Sequence, residues 1–115
     1  MKLTPGKLAG MKAESDRRGV IAAAAMDQHG SLQKALAKEK GADVSPSMLE
    51  EFKSIVAAVL TPHASDILLD TEFGLPAAKR RSKNAGLLLA YEKTGYDKSG
   101  AGRLPDLLET GLFAA

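Results

Sequence analysis

Val20-Ile21-Ala22-Ala23-Ala24-Ala25-Met26-Asp27-Gln28-His29-Gly30 is an unbroken apolar run arrested by a carboxylate, an amide, an imidazole and a glycine. The run is short and has no polar face to give to solvent, which is the pattern of a strand buried on both sides in a parallel sheet. Four consecutive alanines would suit a helix equally well by propensity. The flanking Gly19 and Gly30 and the short length favour the strand.

Downstream, Ser31 to Lys40 is rich in Lys, Ala and Leu, with Leu32 and Leu36 four apart, and reads as an exposed helix closed by Gly41. A stronger helix follows. Ser47 and Glu50 have capping-box spacing, Pro46 stands at the entrance, and Leu49, Phe52, Val56, Val59 and Leu60 recur on one face up to Pro62. Ser65-Asp66-Ile67-Leu68-Leu69-Asp70 and Gly86-Leu87-Leu88-Leu89-Ala90-Tyr91-Glu92 are two further apolar runs, and between them Leu75 to Arg81 has room for about two helical turns. Upstream, Leu3, Leu8 and Met11, with Lys7 and Lys12 between them, fit a short amphipathic helix ending before a turn at Asp16 to Gly19 and serving as a lid or bottom plug. Strand, helix, strand, helix, strand implies an α/β fold whose parallel strands are joined by right-handed crossovers. Gly95 to Gly102 reads as a flexible loop, and Leu104 to Ala115 begins as a helix.

Composition narrows the function classes. Sixteen Lys+Arg against fourteen Asp+Glu give a net charge of +2, too small to argue for nucleic acid or an anionic membrane as partner. The absence of cysteine excludes a disulfide framework and a thiolate metal site. Met1 to Gly10 contains no secretory apolar core, and no apolar run approaches the ~20 residues of a membrane span, so a cytoplasmic location is expected. Residues 1–115 are expected to form one domain.

Each apolar run ends in an acid: Asp27, Asp70 and Glu92. Ligands of parallel α/β proteins collect at the carboxyl ends of the strands, so these acids are candidates for one site. A chain leaving a buried strand needs a polar residue in any case, and one such acid alone is equally an ordinary strand exit. Asp27-Gln28-His29-Gly30 is the densest polar cluster, suited to a polyhydroxylated ligand, with His29 expected to be merely exposed in the turn. His29 and His63 have no metal-ligand spacing. Lys79-Arg80-Arg81-Ser82-Lys83 lacks interleaved aromatics and reads as a solvated helix face, and no Walker or dinucleotide-binding glycine pattern is present.

The motifs Ala25-Met26-Asp27-Gln28-His29-Gly30-Ser31-Leu32, Leu68-Leu69-Asp70-Thr71-Glu72-Phe73-Gly74-Leu75-Pro76 and Gly86-Leu87-Leu88-Leu89-Ala90-Tyr91-Glu92-Lys93-Thr94-Gly95-Tyr96-Asp97 resemble those of the tagatose-bisphosphate aldolase family, the LacD-like class I aldolases. The likeness runs from about Leu3 to Leu108. It implies the N-terminal segment of a (β/α)8 barrel, with about three parallel strands and flanking helices. The implied activity is cleavage of a ketohexose bisphosphate to dihydroxyacetone phosphate and glyceraldehyde 3-phosphate through a lysine Schiff base, with no metal or other cofactor. A protonated imine is an electron sink for the carbanion left when the carbon–carbon bond breaks.

The same resemblance assigns Asp27 and Gln28 to the substrate site and puts the Schiff-base lysine, a second lysine and the acid/base glutamate on later strands, while Asp70 and Glu92 are further candidates from their places at the strand ends. No matched motif supports Lys79, Lys93 or Lys98 in those roles. Glu109 to Ala115 departs from the family pattern, as a truncation, frameshift or split gene would produce, and the isolated chain is expected to be inactive. Two alternatives stand beside this reading: a non-catalytic interaction module that self-associates or binds a complementing barrel fragment, and a sulfosugar-phosphate aldolase relative.

Overall fold

Strands β1 (Ala23–Met26), β2 (Asp66–Leu69) and β3 (Gly86–Leu89) form one parallel sheet in the order β1-β2-β3 in the computed structural model, which describes residues 2–90. The register sets Met26 beside Leu69 and Leu69 beside Leu89, so the strands finish level. Helices α1 (Pro5–Glu14), α2 (Gly30–Lys40), α3 (Pro46–Leu60) and α4 (Leu75–Ala78) precede and connect them, with a 3-10 turn over Thr61–His63. This is the strand-helix alternation of a partial (β/α)8 barrel. Glu92, Lys93, Lys98, the loop read at Gly95 to Gly102 and the helix start at Leu104 lie outside the described residues.

The core lies on one face of the sheet. Ile67 and Leu69 of β2 pack with Ala57 of α3 and with Ala77 and Ala78 of α4, and Ala24, Met26, Leu87 and Leu89 close around them. Alternation along a strand sends Ala23, Ala25, Leu68 and Leu88 to the other face. Ala23 and Ala25 are exposed there, and Leu68 and Leu88 are only half-buried.

Several elements differ from their sequence reading for local reasons. β1 is shorter than its apolar run because Val20 is already engaged: its carbonyl accepts from the Asp16 amide at 2.9 Å and its own amide donates to Asp16 Oδ1 at 3.0 Å. Gly19, at φ 76°, makes that turn possible. Helix α3 is capped by Ser45, whose hydroxyl accepts from the Met48 amide, and not by a Ser47–Glu50 box. Pro46 explains the shift, since a residue without an N–H and with fixed φ suits the first helical position and leaves the cap to its predecessor. Helix α4 stops at Ala78, where Lys79 and Arg80 continue as tight turns. Arg81 folds back to donate to the carbonyls of Ala78 (2.7 Å) and Ala85 (3.1 Å), so the basic run is only partly a solvated face.

Helix α1 lies at the amino-terminal edge of β3. A side chain at Gly86 would come within 2.7 Å of the Ala13 carbonyl oxygen and 2.9 Å of Glu14 Cα. The expected position of a bottom plug is met, but Leu3, Leu8 and Met11 remain 43–49% exposed.

A second close approach fixes the turn after β2. A Cβ on Gly74 would run into the Asp70 carbonyl oxygen and lie 2.9 Å from Leu69 Cβ, and backbone atoms cannot yield as a flexible side chain can. Gly74→Ala is expected to cost about 1–3 kcal/mol by overpacking, read as a lowered urea midpoint with an unchanged slope.

Candidate functional site

The level ends of β1 and β2 bring Asp27-Gln28-His29 next to Asp70-Thr71-Glu72-Phe73. Asp70 is the centre of this cluster and is only 3% exposed. Its Oδ1 accepts from the ammonium of Lys53, with which it forms a salt bridge. Its Oδ2 accepts from the Phe73 amide at 2.6 Å and lies 2.9 Å from His29 Nε2. Both oxygens of the carboxylate are thus occupied by protein donors.

Lys53 comes from the middle of α3, between Leu49 and Ala57, and all three are buried on the face that meets the sheet. The lysine is wholly inaccessible. Its stem fills core volume as an apolar chain would, and its ammonium emerges at the strand ends, where it also donates to the Met26 carbonyl at 2.9 Å. The other flank of the cluster is His29, whose Nδ1 lies 3.2 Å from Glu72 Oε2 and whose ring meets Phe73 edge-on at a centroid distance of 5.4 Å.

Burial alone would push the Asp70 carboxyl up, but the Lys53 hydrogen bond, the Phe73 amide and the charges of Lys53 and His29 outweigh it and hold the group below the usual carboxylate value. At the opposite end of β2, Asp66 is also wholly buried, with Oδ1 accepting from Ser65 Oγ at 2.9 Å and Oδ2 unpartnered among the described residues. Nearby Glu14 is pushed up by burial and then by the Asp66 charge. One end of the sheet therefore gathers cations around its acid, and the other sets acid against acid.

Of the sequence candidates, Asp27 is half-buried and Gln28 exposed at the end of β1, Asp70 is buried behind them, and Glu92 lies outside the described residues. His29 differs from its expectation: its side chain is only 18% exposed and is held between two carboxylates. Sequence reasoning passed over Lys53, Glu72 and Phe73. The apolar repeat of α3 points to Leu49, Phe52, Val56, Val59 and Leu60; Leu49 is buried as expected, but Val59 is 62% and Leu60 44% exposed, and the fully buried line runs on through Lys53 and Ala57 instead. The one available signal was a lysine flanked at i−4 and i+4 by residues fit for a core. Among the described residues no group of three or more His, Cys, Asp or Glu is arranged to hold a metal, and no helix is long and apolar enough to cross a membrane.

A sequence model of DeoC/LacD family aldolases matches residues 21–114. Tagatose 1,6-diphosphate aldolase 2 of Enterococcus faecalis is 56% identical over 94% of this chain. Tagatose 1,6-diphosphate aldolase 1 of Streptococcus mutans is 52% identical over 94%, and the tagatose 1,6-diphosphate aldolase of Listeria monocytogenes 50% over 95%. The matches cover 32%, 33% and 32% of those proteins, so the chain spans about a third of the length of the curated relatives it matches.

Because its folded-state value is depressed, Asp70 contributes stability that is complete above the unfolded carboxyl value and is lost as pH falls through the lower folded one. Asp70→Asn leaves Lys53 buried without its counter-charge and should cost about 3 kcal/mol or more at neutral pH. In urea titrations the gap between wild type and variant should be constant near pH 7 and narrow below about pH 4. A gap independent of pH would remove the carboxylate charge from the explanation.

Proposed function

Since this chain belongs to the DeoC/LacD family of aldolases, we propose that it supplies the first strands, and the Asp27-Gln28 part of the substrate site, of a (β/α)8 class I aldolase. The reaction is cleavage of tagatose 1,6-bisphosphate, or a related ketohexose bisphosphate, into dihydroxyacetone phosphate and glyceraldehyde 3-phosphate, in the cytoplasm. The observation that carries this reading is the position of Asp27 and Gln28, which follow β1 directly at the carboxyl end of the sheet, one half-buried and one exposed, at the same end as Asp70, whose carboxylate is already engaged on both oxygens. A carboxylate and an amide together can accept from sugar hydroxyls and donate to them.

Imine formation needs an unprotonated, accessible amine. Among the described residues Lys53 is inaccessible and paired with Asp70, and the remaining lysines are exposed with no enclosing apolar pocket to activate them. This agrees with the resemblance, which puts the imine-forming lysine on later strands of the barrel. A second reading, a non-catalytic module that self-associates or binds a complementing barrel fragment, draws support from the exposed face of Ala23 and Ala25 and from Ile55 and Val59, which are 56% and 62% exposed.

Joining this chain to the remaining two thirds of the Enterococcus faecalis relative should yield a polypeptide that releases triose phosphates from tagatose 1,6-bisphosphate. Asp27→Ala in it should lower kcat/KM by about 100-fold or more; unchanged kinetics would take Asp27 out of the site. Borohydride treatment of this chain with dihydroxyacetone phosphate should leave its mass unaltered, and an adduct on Lys53 would overturn the assignment of that lysine.

A further inference from the structure

The loop after β1 is tied down on both sides of Asp27-Gln28, and both ties lead to one carboxylate. On the near side Lys53 donates to the carbonyl of Met26, the residue before Asp27, and to Asp70 Oδ1. On the far side His29, the residue after Gln28, sets Nε2 2.9 Å from Asp70 Oδ2. Glu72 Oε2 lies 3.2 Å from the other ring nitrogen, so the imidazole stands between two carboxylates. Asp27 and Gln28 occupy the span between the two anchors.

We propose that Lys53 and Asp70 are positioning residues for Asp27 and Gln28: the buried pair sets where the substrate-contacting side chains stand and does not itself touch substrate. The inference rests on the reading of Asp27 and Gln28 as substrate-contacting residues. It assigns Asp70 a role behind the site and not within it, in keeping with a carboxylate that is 3% exposed and has both oxygens engaged. Docking of α3 on the sheet does not by itself call for the pair, because apolar residues of similar volume commonly replace a buried ion pair with no loss of stability. What apolar residues cannot supply is a donor to the Met26 carbonyl and a carboxylate beside His29. Catalytic groups must be held within a fraction of an ångström, and rigid supporting groups are how that tolerance is met.

The test compares the wild-type chain with Lys53→Met, the double variant Lys53→Met/Asp70→Leu, and Leu49→Ala as a control that loses a buried side chain on the same helix. The readouts are the amide resonances of Asp27 and Gln28, the dissociation constant for dihydroxyacetone phosphate, and thermal stability. Lys53→Met should displace both resonances and weaken dihydroxyacetone phosphate about tenfold or more, the loss expected from one charge-assisted hydrogen bond. Leu49→Ala, measured in its folded range, should leave both readouts near wild type. The double variant decides the matter even where Lys53→Met alone does not fold: its melting temperature should recover toward wild type while the resonances stay displaced and the affinity stays low. Recovery of resonances and affinity together with stability would show a merely structural pair and overturn the proposal. Failure of the wild-type chain to bind dihydroxyacetone phosphate would count against the substrate-site reading, and the Asp27 and Gln28 resonances would still judge the anchors.

Discussion

The salt bridge between Lys53 and Asp70 is the contact on which the arrangement of this chain turns. It joins the middle of α3 to the end of β2, and through the Met26 carbonyl it reaches the end of β1 as well. Away from water, an ammonium that met only apolar neighbours would be severely destabilising, so the pair must form whenever α3 lies on the sheet. The apolar core beneath it is built largely of small side chains, Ala24, Ala57, Ala77 and Ala78 around Ile67 and Leu69. Small residues allow the helices close to the strands but discriminate poorly between alternative placements. A directional, charged contact at the strand ends adds a point that ties α3 to the ends of both β1 and β2.

The two ends of the sheet are chemically unlike. At the carboxyl ends, Asp70 is surrounded by donors and stays charged, and the polar residues Asp27 and Gln28 follow β1 at the same end of the sheet. At the amino ends, Asp66 keeps one oxygen unpartnered among the described residues, and Glu14 is pushed toward its neutral form beside it. This polarity follows from the parallel direction of the strands, because antiparallel pairing would have sent Asp70 and the residues after β1 to opposite ends. The family of aldolases to which the chain belongs uses a fold in which ligands gather at the carboxyl ends, and the donor-rich end of this sheet lies there.

How much of this was legible in the sequence depends on range. The strands announced themselves as apolar runs, and their parallel order followed from the helices between them, because both signals are local. Asp27 and Gln28 were legible for the same reason, as the first polar residues after a buried strand. The partners of Asp70 were not, since Lys53 and His29 stand seventeen and forty-one positions away in sequence and meet it only once the sheet has aligned the strand ends. Lys53 was further hidden by the pattern of its own helix. Hydrophobic periodicity counts lysine as a solvent residue, and the larger side chains Phe52, Val56 and Val59 drew the apparent apolar face a step around from the line Leu49-Lys53-Ala57 that is buried. His29 was misplaced for a related reason: one imidazole in a polar turn carries no local sign that two carboxylates will close on it.

The buried pair also constrains how this sequence can drift. Replacing Lys53 alone strands a carboxylate, replacing Asp70 alone strands an ammonium, and either intermediate lies several kcal/mol uphill, whereas exchanging both for apolar residues can be nearly level. Two stable neighbours in sequence space are thus separated by a ridge that single substitutions do not cross. A lineage that once acquired the pair is held to it by the cost of the intermediates, independently of any advantage the pair confers today, and positions 53 and 70 are expected to change together or not at all among descendants.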